Sequence, residues 1–389
     1  MLRHPKRPRD GALRAGPLSL AGSGLAALGL SACTALPESE ITACADAIAP
    51  TPRITWSADG REASTTLDVL TFNIEGLGWP ARRNRAPKLR QIGVVLAELN
   101  ARKAAPDIVL VQEMFSPAAV RAMTEAGFRQ FAVGPSRTQR RTLPAGQRMA
   151  GPFQWRKGET GFHLVSSGLA ILSRYPIVAS RSEPFGTRSC AGFDCLSNKG
   201  AQYARVVLPG VPQPIDIFNT HLNSQGASRV PKERNGPAHA IQVGELAQFL
   251  TSAAGHDTPA IMGGDFNMRG SPDRLARFDR DLSQLTLVHR YCAMPSSTCD
   301  VRISWDGDAP WMDTEDLQLF NSGSAVSIRP IRIEAMFDGS AGNPQLSDHD
   351  GLRVRYRLTW RPQGGQHGPA NARTPACETA SVAVQDRKS

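Results

Sequence analysis

At 389 residues the chain is long enough for one large α/β domain or two ordinary ones, and its recurrent aliphatic runs can fill a sizeable core. After the N-terminus no run is long and apolar enough to cross a bilayer as a helix, which excludes a bundle of membrane-spanning helices. The formal charge of +10 overstates the basic character, because residues 1–32 hold five of the Lys and Arg and one Asp; their removal leaves 40 basic and 34 acidic residues, a net +6.

The first 33 residues read as an export signal. Arg3, Lys6, Arg7, Arg9 and Arg14 lead into a small, apolar run from Leu18 to Leu30, which ends in Leu30-Ser31-Ala32-Cys33. That ending resembles a bacterial lipoprotein cleavage site and makes Cys33 the lipidated first residue, with a membrane anchor there; ordinary cleavage nearby, such as after Ala35, is the alternative. Thr34 is not the aspartate that commonly retains lipoproteins in the inner membrane, so the expected address is the outer membrane or cell surface, otherwise periplasmic or secreted. Residues 34–65 read as a linker, 66–360 as one folded domain, and 361–389, rich in Gly, Pro and Ala, as a disordered tail.

Within the domain, short apolar runs predict strands at Leu67–Ile74, Asp107–Gln112, Gly168–Ser173, Tyr203–Leu208, Pro214–Thr220, Ala260–Gly264 and Leu352–Leu358. Several are apolar on both faces, as buried strands are. Leu89, Ile92, Leu96 and Leu99 form one helical stripe, and Val243, Leu246, Ala247 and Leu250 another. The alternation predicts an α/β fold with two sheets packed face to face and helices outside. Between Arg129 and Lys157, Arg137, Arg140, Arg141, Arg148 and Arg156 meet only one acid, Glu159, just beyond. Such a patch suits a phosphate-bearing partner, nucleic acid or lipid headgroup, or is simply a solvated loop.

Seven cysteines less Cys33 leave six. The spacings predict two loop staples, Cys190 with Cys195 and Cys292 with Cys299, and a clamp between Cys44 and Cys377, although six cysteines allow about fifteen pairings. No histidine–cysteine cluster has zinc-like spacing, so disulfides in an oxidising compartment are the favoured reading.

The strands become informative at their ends. Leu67–Ile74 is interrupted by Asn73; Asp107–Gln112 ends in Gln112-Glu113; a third run closes on Thr220-His221-Leu222-Asn223; a fourth on Gly264-Asp265-Phe266-Asn267; and Ser347-Asp348-His349 precedes the last. Each alone is an ordinary cap, turn or core residue. Together and in this order they resemble the endonuclease/exonuclease/phosphatase superfamily, whose members share these five motifs.

The resemblance implies a four-layer α/β sandwich of two mostly antiparallel sheets flanked by helices, with a phosphodiester-hydrolysing site at one end. It implies that Glu113 and Asn73 hold Mg²⁺ (Mn²⁺ or Ca²⁺ being alternatives), because carboxylate and carboxamide oxygens are hard ligands. Asp348 is an additional metal candidate. His349 is the expected general base, Asp265 and Asn267 position water and phosphate, and His221 donates to phosphate or assists the leaving group. Members commonly carry Arg-Leu/Ile-Asp-Tyr before the final motif, its Asp supporting the late His. The matching stretch here is Arg332-Ile333-Glu334-Ala335-Met336-Phe337, which makes Glu334 the expected partner of His349.

Asn198-Lys199-Gly200 is similar to the secreted and neutral sphingomyelinases, implying that Lys199, with Asn223, binds phosphate; Trp305-Asp306 resembles a segment of the bacterial enzymes. Only about ten residues separate Phe337 from Asp348, too few for the long aromatic hairpin of pathogen sphingomyelinases, and Trp311 and Phe320 are candidates for a smaller apolar contact. A sphingomyelin phosphodiesterase is the leading expectation. A surface nuclease, an inositol-phosphate phosphomonoesterase and a non-catalytic surface binding protein stay open. The chain is expected to be monomeric with no protein partner.

Overall fold

The computed structural model describes residues 50–362 except 80, 145, 256 and 304–313. In chain order it opens with β1 (Thr55–Trp56), β2 (Ala63–Asn73), α1 (Arg85–Ala101), β3 (Ile108–Gln112), α2 (Pro117–Thr124), β4 (Gln130–Val133) and β5 (Ala170–Ser173). The middle comprises β6 (Ile177–Pro184), β7 (Gly200–Val206), β8 (Ile215–His221), α3 (Lys232–Ala253), β9 (Ala260–Asp265) and α4 (Pro272–Asp281). The last part holds β10 (Thr286–Leu287), α5 (Val288–Ala293), β11 (Asp300–Arg302), β12 (Asp316–Asn321), β13 (Val326–Met336) and β14 (Gly351–Trp360). All seven predicted strands and both helical stripes correspond to elements of this set. Ordered structure begins earlier than residue 66, since β1 and the start of β2 lie in the stretch read as linker.

One sheet has the order β11-β13-β14-β2-β3-β5-β4, with β1 also paired to β2; the other has β10-β12-β9-β8-β7-β6. Most neighbours are antiparallel. The parallel pairs are β2 with β3, β8 with β9, and β11 with β13. The two central parallel pairs need crossovers, which α1 and α3 supply.

Strand alternation sorts the side chains into layers. In β2, Leu67 and Val69 face the opposite sheet, whereas Leu70 and Phe72 face helices. In β9, Ile261 faces inward and Met262 outward. Three apolar clusters result: one between the sheets, one beneath α1 and α2 with Leu89, Ile92 and Leu96, and one beneath α3 and α4 with Val243, Leu246 and Phe278. Three buried interfaces make four layers. Each fully buried Leu, Ile or Phe contributes roughly 1.5–3 kcal/mol relative to exposure. Helix starts follow local chemistry, as where Ser116 Oγ accepts the Ala119 N–H ahead of Pro117 in α2.

Polar rungs cross the apolar middle. Gln112 Nε2 donates to Asn219 Oδ1 at 2.7 Å, and Asn219 Nδ2 donates to the carbonyls of Val111 and Ala170. Deeper in, Tyr356 Oη donates to Gln318 Oε1, and Gln318 Nε2 reaches the carbonyls of Val69 and Leu352. Buried amides carry a penalty unless paired, so these bonds fix the register of one sheet on the other. No helix among the described residues is long and apolar enough to cross a membrane.

Candidate active site

The two central parallel pairs end at the same end of the sandwich. In one sheet Asn73 closes β2 opposite Gln112 at the end of β3; in the other His221 closes β8 opposite Asp265 at the end of β9. Asp316, the first residue of β12, lies opposite Asp265 on its other side. The loop before β14 brings His349 over them and is tied down by Ser347, whose Oγ donates to the Asn73 carbonyl at 2.7 Å.

Backbone conformation aims two of these groups. Had β3 continued, Glu113 would face the helices, because 108, 110 and 112 face the other sheet. Its φ of 64° breaks that alternation, and Asn73 Nδ2 lies 3.3 Å from Glu113 Oε1. A non-glycine residue held there is strained, and strain of this kind concentrates at functional sites. At Gly264 a β-carbon would sit 2.3 Å from the Thr220 carbonyl oxygen, so only glycine lets β8 and β9 bring His221 and Asp265 together.

Asp265 is the hub. Its Oδ2 accepts from Asn73 Nδ2 at 3.0 Å and lies 3.3 Å from His221 Nε2, and its Oδ1 accepts the Asn267 N–H at 3.0 Å. His349 Nδ1 is 2.6 Å from Asp316 Oδ2, while its Nε2 stands 3.9 Å from both Asp265 Oδ2 and Glu315 Oε2. Asp316 and Asp265 are buried, whereas the His349 side chain keeps 16% exposure, enough for a ligand to reach it. Lys199, also buried, donates from Nζ to the Leu222 carbonyl at 2.9 Å and pairs with Asp194 at 3.2 Å.

Crowded acids in a desolvated cleft bind protons tightly. Burial raises Glu113 to about 7, against the pull of Lys199 and Asn73. Burial likewise raises Asp265 to about 6 and raises Asp316. Burial alone would discharge His349, but the Asp316 carboxylate and its hydrogen bond, with Asp265 and Asp348, outweigh it and lift the imidazole to about 11. His221 goes the other way. Burial, then Lys199 and His349, hold it well below 6.5, so it is neutral.

This donor set suits a hard divalent cation: Glu113 is a strained, proton-hungry carboxylate with Asp265 and Asp348 nearby, and one buried oxygen of Asp316 finds no donor among the described residues. No three His, Cys, Asp or Glu side chains among the described residues converge into a ready metal cage. Of these residues, Glu113 would be the carboxylate to hold such a cation.

Residues 70–366 match the model of the Endonuclease/Exonuclease/phosphatase family. The chain belongs to that family. A sphingomyelinase of Mycobacterium tuberculosis is 27% identical over 317 residues, covering 79% of this chain and 54% of the relative. Sphingomyelinase C of Listeria ivanovii is 30% identical over 123 residues, covering 31% of this chain and 35% of the relative. The chain thus spans about half the length of the mycobacterial relative it matches. Among solved structures, a beta toxin from Staphylococcus aureus superposes with TM-score 0.52 at 17% identity, covering 74% of this chain and 99% of that one. Sphingomyelinase C from Streptomyces griseocarneus does so with TM-score 0.51 at 19% identity, covering 75% and 99%. These likenesses establish the endonuclease/exonuclease/phosphatase fold.

Within that family frame, the structure gathers Asn73, Glu113, His221, Asp265, Asn267 and His349 into one site. Asn267 also donates from Nδ2 to the Leu222 carbonyl. Asp348 is exposed and acts on Glu113 and His349 through its charge. Three expectations, for Glu334, Asn223 and Phe320, are corrected. Glu334 does not support His349: it lies on β13 opposite Arg353 of β14 and pairs with that guanidinium at 3.5 Å. The supporting acid is Asp316, whose signal was an acid opening the alternating run Asp316-Leu317-Gln318-Leu319-Phe320. The Asn223 amide is committed to a loop instead of a ligand: fully buried, it accepts the Ala191 N–H at 2.8 Å and donates to the Ser224 carbonyl.

Phe320 is core, packed on Tyr291 and Tyr356, and offers no outward apolar contact. The Cys190–Cys195 and Cys292–Cys299 disulfides are both present. Cys33, Cys44, Cys377, Trp305, Asp306 and Trp311 lie outside the described residues.

Proposed function

We propose that the protein is an exported, Mg²⁺-dependent phosphodiesterase acting on a lipid phosphodiester of the sphingomyelin class. The observation that carries this reading is the Asp316–His349–Asp265 line, with Asn73, Glu113 and His221 around it, at the mouth of the sandwich. The mycobacterial and Listeria sphingomyelinase relatives support the choice of substrate class.

Attack on a phosphodiester needs an oriented water, a group to take its proton and donors for charge on the phosphate. Bound Mg²⁺ would neutralise phosphate oxygens, and its positive charge would offset the Asp265 and Asp348 carboxylates that help hold the His349 proton, moving the imidazole toward the range of a base. Asp316 fixes the Nδ1 proton of His349 and aims Nε2 into the cleft. The gap between that nitrogen and Asp265 Oδ2 is 3.9 Å, leaving both within reach of one water. Neutral His221 and the Asn267 amide would donate to phosphate oxygens, and Lys199, which shares the Leu222 carbonyl with Asn267, would add a positive charge nearby.

The test is a hydrolysis panel of sphingomyelin vesicles, plasmid DNA and bis-p-nitrophenyl phosphate, with Mg²⁺ or with chelator. Mg²⁺-dependent release of phosphocholine that disappears in His349→Ala is expected. Turnover of DNA alone points instead to a nuclease, and no turnover of any substrate points to a binding protein.

A further inference from the structure

Five large apolar side chains stand exposed in two touching segments beside the site: Phe153 at 41%, Trp155 at 67%, Phe162 at 60%, Leu164 at 54% and Phe193 at 38%. The segments meet directly. Leu164 N–H donates to the Leu196 carbonyl at 2.7 Å, and a β-carbon on Gly158 would lie 3.1 Å from Phe193.

This exposure does not come from looseness. The buried Glu159 carboxylate accepts the N–H groups of Gln154 and Gly192 and pairs with the Arg234 guanidinium, while the Cys190–Cys195 disulfide closes the neighbouring segment. Beneath lies a small apolar cluster that includes Met149, Ala191 and Val230. A pinned loop that turns aromatic rings toward water gains nothing for the isolated protein, and contiguous exposed apolar surface marks an interaction face.

Topology puts this face at the mouth. One segment feeds β5, whose first residue Ala170 pairs with Val111 at the end of β3 next to Glu113; the other feeds β7, where Ala201 pairs with Thr220 beside His221. Cations are interleaved with the rings: Arg156 lies over Trp155 at 5.0 Å, Arg188 lies over Phe153 at 4.8 Å, and Arg148 and Lys157 are exposed. Aromatic rings with basic neighbours are the composition that settles at the headgroup level of an anionic bilayer.

We propose that this surface is a membrane-docking face that seats on an anionic bilayer and presents lipid phosphate to the site. The inference rests on the proposed function for its lipid substrate. A single-stranded nucleic acid is less well suited, because Leu164 has no ring to stack and Arg188 and Arg234 already spend N–H groups on backbone carbonyls and Glu159.

The experiment is vesicle flotation of the full chain on phosphatidylcholine with and without phosphatidylserine, no sphingomyelin being present, so that binding is read without turnover. Trp155→Ser combined with Phe162→Ser should weaken binding about tenfold or more, since each ring removed forfeits interfacial burial. The same variant should keep wild-type turnover of bis-p-nitrophenyl phosphate. Arg156→Glu with Lys157→Glu should weaken binding only to vesicles containing phosphatidylserine. Met294→Ser, an exposed apolar residue after α5, should change nothing. The proposal is overturned if wild type ignores both vesicles, if the serine variant binds them undiminished, if Met294→Ser matches that variant, or if the serine variant loses an oligonucleotide instead. Lack of diester turnover would sink the proposed function and leave this binding readout standing.

Discussion

Replacing Asp316 with Asn removes the charge that holds His349 while keeping the shape of the side chain and one hydrogen-bonding oxygen. The carboxylate sits 2.6 Å from His349 Nδ1 and, once the opposing effect of burial is set aside, is the leading reason the imidazole is raised to about 11. An adjacent opposite charge shifts a pKa by about 1–3 units. At about 1.36 kcal/mol per unit, that is roughly 1.4–4 kcal/mol of stabilisation for the imidazolium that forms as His349 takes the proton. Losing it should lower kcat about 10- to 1000-fold with little change in KM, since Asp316 is buried and acts through His349. The assay is the initial rate of diester hydrolysis against pH, with the His349 imidazole followed by NMR. Its pKa should fall in the variant. Glu334→Gln is the contrasting case: its carboxylate serves Arg353, so kcat should stay within about twofold of wild type. Asp316→Asn at full activity with an unshifted imidazole, or Glu334→Gln with the larger loss, would refute the assignment.

Other consequences follow from packing and burial. Gly264→Ala places a methyl group against the Thr220 carbonyl, so urea unfolding should show a loss of about 1–3 kcal/mol, with activity falling as His221 and Asp265 separate. His239 is buried with its Nε2 at the Phe266 carbonyl, and burial, then Arg274, lower it from 6.5 to about 3. Its folded pKa lies below the unfolded one, so its contribution is complete above about pH 6.5 and is lost as pH falls toward 3. Between about pH 7 and about pH 5 this amounts to about 2 kcal/mol, which His239→Gln should remove from the pH slope of urea unfolding. Cys190→Ser with Cys195→Ser opens a short loop and should cost about 2 kcal/mol in the same assay.

Much of the site was legible because its residues stand where apolar strands stop. Asn73, Glu113, His221 and Asp265 each interrupt or end a run whose burial is evident from composition, and His349 stands just before one. The parts that were not legible depend on pairing across the sheets. Asp316 opens a strand whose role comes from lying opposite Asp265, a register that local sequence does not display, and Glu334 was placed by likeness of segment where β13 in fact aligns it with Arg353. Nor does sequence reveal that Glu113 adopts a left-handed backbone, or that Asn223 turns into its own loop. Gln112 has a carboxamide at a strand end just as Asn73 does, yet it joins the sheets through Asn219. The exposed rings at 153–164 were overlooked among the arginines around them.

The most direct test is the steady-state rate of phosphocholine release from sphingomyelin vesicles, with Mg²⁺ or chelator, for wild type, Glu113→Gln and His349→Ala. Wild type should turn over only with the metal. Glu113→Gln should regain part of its activity as Mg²⁺ is raised, while His349→Ala should fall by a factor on the order of 10²–10⁴ at every metal concentration. Equal rates in wild type and His349→Ala, or turnover indifferent to chelator, would contradict the assignment of this strand-end site as a metal-assisted phosphodiesterase.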